Sequence, residues 1–147
     1  MATSECLSGS WRVPGGVGSL AGAVVRHYRR PGAAHPSVLS VEPDTAACVL
    51  ASLTADRPVT VSTAATVMAG LNCGTISSSA WPVLRAGCDA AVAVSDDEAL
   101  RAVDDLGRLG VSSGPSGAAS LAGLRAALTD PQRRAALDLE HDAVVVL

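Results

Sequence analysis

Apolar residues in this chain come in short runs, and most runs lead through a turn into a stretch with helical spacing. Residues 38–41 form one such run, closed by Glu42 and Pro43, and they predict a strand. Asp44 stands where it can cap a following helix whose apolar positions include Ala47, Leu50 and Ala51. Residues 59–61 suggest a further strand and residues 63–72 a helix, after which Gly74 and residues 77–79 make a loop. Residues 81–86 read as a short helix, with Pro82 in its first turn and Gly87 just past its end.

The clearest unit follows. Residues 90–94 predict a strand, and Ser95 then caps a helix with Glu98 at the capping-box spacing. Asp96, Asp97 and Glu98 put negative charge at the positive end of that helix. Leu100, Val103 and Leu106 recur on one face, and Gly110 ends it. Residues 111–117 are a Ser/Gly/Pro turn that feeds a helix over 118–128; Asp130 and Pro131 begin another. Residues 143–147 are continuously apolar, as expected of a strand covered on both faces. Strands alternating with helices predict an α/β fold: a mostly parallel sheet with helices on both sides, a three-layer αβα arrangement. The chain shows no internal repeat and no long linker.

Composition sharpens this picture in one respect. Of the 147 residues, 48% are hydrophobic and 17% charged, as in a folded domain, but the apolar content is mostly Ala, Val and Leu, with no Phe. Small side chains suit helices lying close on a sheet. The formal net charge of −3 lacks the basic field of a nucleic-acid binder. No apolar run reaches the ~18 residues of a membrane span, and residues 1–14 show no signal peptide. Cys6, Cys48, Cys73 and Cys88 have no ligand-like spacing and are expected to be reduced thiols of a cytoplasmic protein. All eleven basic residues are Arg, so the chain has no lysine.

Candidate chemistry concentrates in one loop. Gly15, Gly16, Val17, Gly18 and Ser19 precede a helical stretch over 21–28. Glycines let backbone N–H groups approach an anion, and a helix start adds free donors and partial positive charge. Residues 16–21 also fit the G-x-G-x-x-A pattern of dinucleotide binding, with Glu42 as a ribose-binding acid. Against that NAD-type reading, residues 8–13 make a poor first strand.

A second pattern favours a different ligand. Gly15, Gly16, Val17, Gly18, Ser19 and Leu20 resemble the phosphate loop of fold-type-II pyridoxal-phosphate enzymes, the superfamily of tryptophan synthase β and threonine dehydratase. Val41, Glu42 and Pro43 are a companion of that loop. The stretch Val67, Met68, Ala69, Gly70, Leu71, Asn72, Cys73, Gly74, with Trp81, Pro82 and Gly87 beyond it, resembles diaminopropionate ammonia-lyases in particular. Ser113, Gly114, Pro115, Ser116, Gly117, Ala118 and Ala119, followed by Leu121 and Gly123, resemble a late turn of the same enzymes. The resemblance runs over 14–147, with four motifs in order.

The resemblance implies the large-domain fold of that superfamily, pyridoxal phosphate as cofactor, and elimination of ammonia from the small amino acid 2,3-diaminopropionate to give pyruvate. It places Gly15, Gly16, Val17, Gly18 and Ser19 around the cofactor phosphate, and residues 69–74 and 113–117 near the ring. It also implies a lysine upstream of the phosphate loop that holds the cofactor covalently. Only residues 1–13 precede the loop here; they are atypical of the family and contain no lysine. Arginine is no substitute, since its guanidinium stays protonated. The family's pyridine-nitrogen partner would follow the last strand, where this chain stops. The expectation is therefore an incomplete cofactor-binding domain over 14–147, from a truncated or frame-shifted gene and inactive alone. It would leave strand edges and apolar faces exposed, and it could act as a homodimer or by pairing with a full-length relative. No residue is assigned a proton-transfer role and no metal site is expected. His27, His35 and His141 read as surface residues, residues 96–98 as a helix start, and Trp81 as packing.

Overall fold

Three parallel strands form the centre of the protein. The computed structural model describes residues 18–33, 35–137 and 144–146. The strands are β1 (Ser37–Pro43), β2 (Ala90–Val94) and β3 (Val144–Val146), in the order β2-β1-β3. Leu39 pairs with Ala90 and Val41 with Val92 on one side of β1, and Val38 pairs with Val145 on the other. The central strand β1 is buried from Val38 to Pro43. Helices cover both of its faces, so even its polar residues Ser40 and Glu42 are buried.

Side-chain alternation along β1 sorts the helices into two layers. Leu39 and Val41 join Val92 and Val94 in a core with α4 (Asp96–Arg108) and α5 (Pro115–Thr129). Val38 and Ala91 face a second core with α1 (Ser19–Tyr28), α2 (Cys48–Ala55) and α3 (Trp81–Gly87). The layers are helix, sheet, helix, as the sequence predicts. The small residues matter here: Ala99, Ala102, Ala118, Ala119 and Ala122 are all buried between α4, α5 and the sheet. A short helix, α6 (Pro131–Ala136), follows, and Asp130 accepts from the Gln132 N–H at its start (2.9 Å), the cap read from the sequence. Asp89 ties the other end of β1 into place. Its carboxylate accepts the Val38 N–H (2.6 Å) and an Arg29 N–H from the end of α1.

Helix α4 starts as its sequence dictates. Ser95 accepts the Glu98 N–H (3.3 Å), and Glu98 accepts the Ser95 N–H (2.8 Å), so both halves of the capping box form. Bonds from the Ser95 backbone and hydroxyl hold the Glu98 carboxyl below its ordinary range. Ser95→Ala is expected to cost about 1 kcal/mol, measurable by chemical denaturation. Because Glu98 is depressed in the folded state, its contribution is present above the ordinary value of 4.5 and is lost as pH falls through the lower folded value. The cost of Ser95→Ala should therefore shrink in acid.

Several sequence expectations are corrected. Residues 59–61 form no strand: the Val59 N–H goes to the Ser52 hydroxyl (2.9 Å) and the Val61 N–H to the Gly74 carbonyl (2.9 Å). Residues 63–72 form no α-helix, only a 3-10 turn at Ala69–Leu71. There the Val67 N–H donates to Asp96 (3.1 Å) and the Met68 N–H to the Thr66 hydroxyl (3.1 Å), bonds that compete with a helical ladder. Asp44 makes no side-chain cap and lies in a separate 3-10 turn, Asp44–Ala46. In the helix that follows, Cys48, Val49 and Ser52 are buried, and Ala47, Leu50 and Ala51 are half-buried. Leu100 is 43% exposed, and Ala99 and Ala102 hold the core face of α4 instead. Helix α5 begins at Pro115, earlier than the 118 expected.

Candidate functional site

A cleft of about 190 Å³ opens at the carboxyl end of β1, where parallel sheets of this kind bind ligands. Gly18 and Ser19 form one lip, Ser40 and Glu42 the floor, and Gly70 and Leu71 the opposite wall. The alternation of β1 explains the floor. Ser40 and Glu42 lie two and four residues beyond Val38 and share its face of the sheet, towards α1 and α2.

The lip is the start of a helix. Gly18 precedes α1 with φ 86°, a left-handed conformation that glycine adopts without strain. A Cβ there would sit 3.0 Å from Leu84 Cδ1 and 3.1 Å from Ala80 Cβ, so a side chain would force these neighbours to shift. Gly18, at the N-cap of α1, offers no side chain to cap it. The first N–H groups of a helix have no partner within it and carry the positive end of its dipole. At this helix those groups border the cleft. Gly18 and Ser19, both in the phosphate cradle expected from the sequence, line this cleft. Gly15, Gly16 and Val17 lie outside the described residues.

Glu42 is the residue that sequence reasoning misplaced. It is 7% exposed, yet both of its oxygens are engaged: Oε1 accepts the Val49 N–H (2.7 Å) and Oε2 the Leu50 N–H (2.9 Å). A carboxylate from the preceding strand thus caps α2, in place of Asp44. Burial pushes the Glu42 carboxyl above its ordinary value, against the pull of the Val49 and Leu50 N–H bonds. The dinucleotide reading needs Glu42 free to meet a ribose, and here its oxygens are committed to α2. The signal for this role was a lone acid at even spacing from Val38 on a strand with no other charged residue.

The far wall joins two of the sequence motifs. The Gly70 N–H donates to the Ser116 hydroxyl at 3.2 Å, which ties the loop of residues 67–74 to the start of α5. That loop and the turn at 113–117, distant in sequence, meet beside the cleft. Two of the described cysteines, Cys48 and Cys88, contribute no nucleophile. Burial, reinforced by the neighbouring Glu42 charge, pushes Cys48 up to about 12, and burial pushes Cys88 up to about 11, so both are neutral thiols near neutral pH. Cys73 Sγ donates to the Thr75 carbonyl (3.2 Å). Among the described residues no group of His, Cys, Asp and Glu is arranged to hold a metal ion, and no helix is long and apolar enough to cross a membrane. His27 and His35 are exposed, as expected, and Trp81 is half-buried; His141 and Cys6 lie outside the described residues.

Comparison with known proteins gives a consistent result. The family model described as "Pyridoxal-phosphate dependent enzyme" matches residues 10–147. The chain is 33% identical over 144 residues to the diaminopropionate ammonia-lyase of Escherichia coli strain K12, covering 90% of this chain and 36% of that protein. The chain therefore spans about a third of the length of the curated relatives it matches. The crystal structure of the Escherichia coli diaminopropionate ammonia-lyase with D-serine superposes with a TM-score of 0.64 at 31% identity, over 89% of this chain and 35% of that one. A fungal L-serine ammonia-lyase from Rhizomucor miehei shares the fold, with a TM-score of 0.72 at 23% identity over 91% of this chain and 42% of that one.

Proposed function

We propose a function from one premise that the comparisons establish: the chain belongs to the pyridoxal-phosphate dependent enzyme family. The cleft at the start of α1 is the phosphate site for that cofactor, with Gly15, Gly16, Val17, Gly18 and Ser19 as its backbone and hydroxyl donors. The observation that carries this reading is the helix start at Gly18, whose left-handed backbone opens α1 beside the cleft. The residues present fit the phosphate of the cofactor and not its aldehyde, because the chain has no lysine to form a covalent bond with it.

When bound, pyridoxal phosphate supplies an electron sink beside the amino group of an amino acid. The chain's own residues bind and orient the anionic tail, and the loop held by Gly70 and Ser116 walls the cleft. The similarity to diaminopropionate ammonia-lyase makes ammonia elimination from a small diamino acid the reaction this domain serves, in a cytoplasmic protein. We place that activity in an assembly that supplies the lysine, and not in the 147 residues alone. A second reading, pairing with a full-length relative, is favoured by Leu20, which lies 73% exposed at the cleft mouth.

Titration calorimetry tests this. Pyridoxal phosphate should bind, pyridoxal without the phosphate should bind at least about tenfold more weakly, and NAD should not bind. Borohydride should trap no lysine adduct, and 2,3-diaminopropionate should yield no pyruvate. Tight NAD binding, or ammonia release by the isolated chain at enzymatic rates, would overturn the proposal.

A further inference from the structure

The cleft carries one ionisable side chain among the described residues that line it, and that side chain is an acid at an anion site. We infer that Glu42 determines ligand class at this cleft, admitting a single terminal phosphate and rejecting a second phosphoryl group. This rests on the phosphate-site reading of the lip at Gly18 and Ser19.

The geometry supports it in three steps. Glu42 lines the same cleft as Gly18 and Ser19, so a second anionic group held in that cleft shares it with the carboxylate. The carboxylate cannot swing away, because Val49 and Leu50 hold both oxygens at 2.7 and 2.9 Å. Among the described residues no Arg or His lines the cleft, and the thiol of Cys48, the titratable group on α2, is neutral. Both oxygens accept N–H bonds, the pattern that the ionised form satisfies fully. A fixed like charge in a partly dry cleft acts more strongly than the same charge in water. Donor-only cradles behave in the opposite way, since more ligand charge means tighter binding at a helix start.

The test uses the full chain labelled with ¹⁵N, titrated separately with inorganic phosphate and inorganic pyrophosphate while the Gly18 and Ser19 amide shifts are followed. The wild type should bind phosphate more tightly than pyrophosphate. Glu42→Gln, which keeps one acceptor for α2, should shift the preference towards pyrophosphate on the order of tenfold. Glu42→Asp, which keeps the charge, should preserve the wild-type preference. A wild type that prefers pyrophosphate overturns the inference even if Glu42→Gln fails to fold. So does a folded Glu42→Gln with an unchanged ratio, and in that case the phosphate site itself stands. Binding of neither anion removes both the site and the filter.

Discussion

Gly123→Ala should lower the unfolding free energy by about 2 kcal/mol, although alanine is the better helix former. Gly123 lies within α5 and is buried against β1. A Cβ at this position would lie 2.7 Å from Val41 Cγ1 and 3.0 Å from Val41 Cβ, with Val41 Cγ2 closer still. Val41 is 4% exposed and stiff at its branched Cβ, so it cannot rotate out of the way. The helix has to lift from the sheet instead. Helix propensity alone favours the substitution by about 1 kcal/mol, which sets the size of the opposing strain that must be exceeded. Gly107→Ala supplies the control. Gly107 is also helical, in α4, but nothing lies within 4 Å of its Cβ position. There the same substitution should stabilise by about 0.5 kcal/mol. Urea denaturation of the two variants should give shifts of opposite sign; a stabilised Gly123→Ala would mean that α5 is not seated on Val41. The lift should also reach the cleft, because Ser116 on α5 holds the Gly70 wall.

What could be read from the sequence was decided by local bonds. The capping box of α4 needs only Ser95 and Glu98, which lie within one helical turn and fold together, and it appears as written. Strands β1 and β2 were legible because both faces of the central sheet are covered, which leaves an unbroken apolar run in β2 and a cluster of Val38, Leu39 and Val41 in β1. Residues 63–72 were misread because apolar residues there have helical spacing. Their donors are taken by Thr66 and by Asp96, which lies beyond the next strand. The start of α2 was misread for the same reason: Asp44 is the adjacent acid, but Glu42 reaches back from β1 to do its work. The candidate site divides along this line. The glycine loop announces its lip, because a helix start preceded by glycine is a local feature. The floor depends on the register of a buried strand, and the wall on a contact between Gly70 and Ser116 across 46 positions.

Gly18→Ala should weaken phosphate binding on the order of tenfold while leaving the fold intact. A left-handed backbone costs an L-residue about 1–2 kcal/mol relative to glycine, close to one factor of ten if it is relieved by re-forming the helix start. The added methyl also meets Leu84 Cδ1 and Ala80 Cβ at 3.0 and 3.1 Å, tight contacts that push the first turn of α1 towards the cleft. Both effects act on the same object, the direction of the N–H groups that follow Gly18. Ser19→Ala is the comparison, because Ser19 is exposed and its removal takes away one hydroxyl without turning the backbone. Its loss of affinity should be the smaller of the two. The measurement is the phosphate titration curve at the backbone amide of position 19 in each variant, with circular dichroism to verify that α1 remains helical. If a helical Gly18→Ala bound phosphate as the wild type does, the anion would have to be held by side chains elsewhere. The start of α1 would then be an ordinary tight turn, and its glycine would answer only to the packing of Leu84 and Ala80.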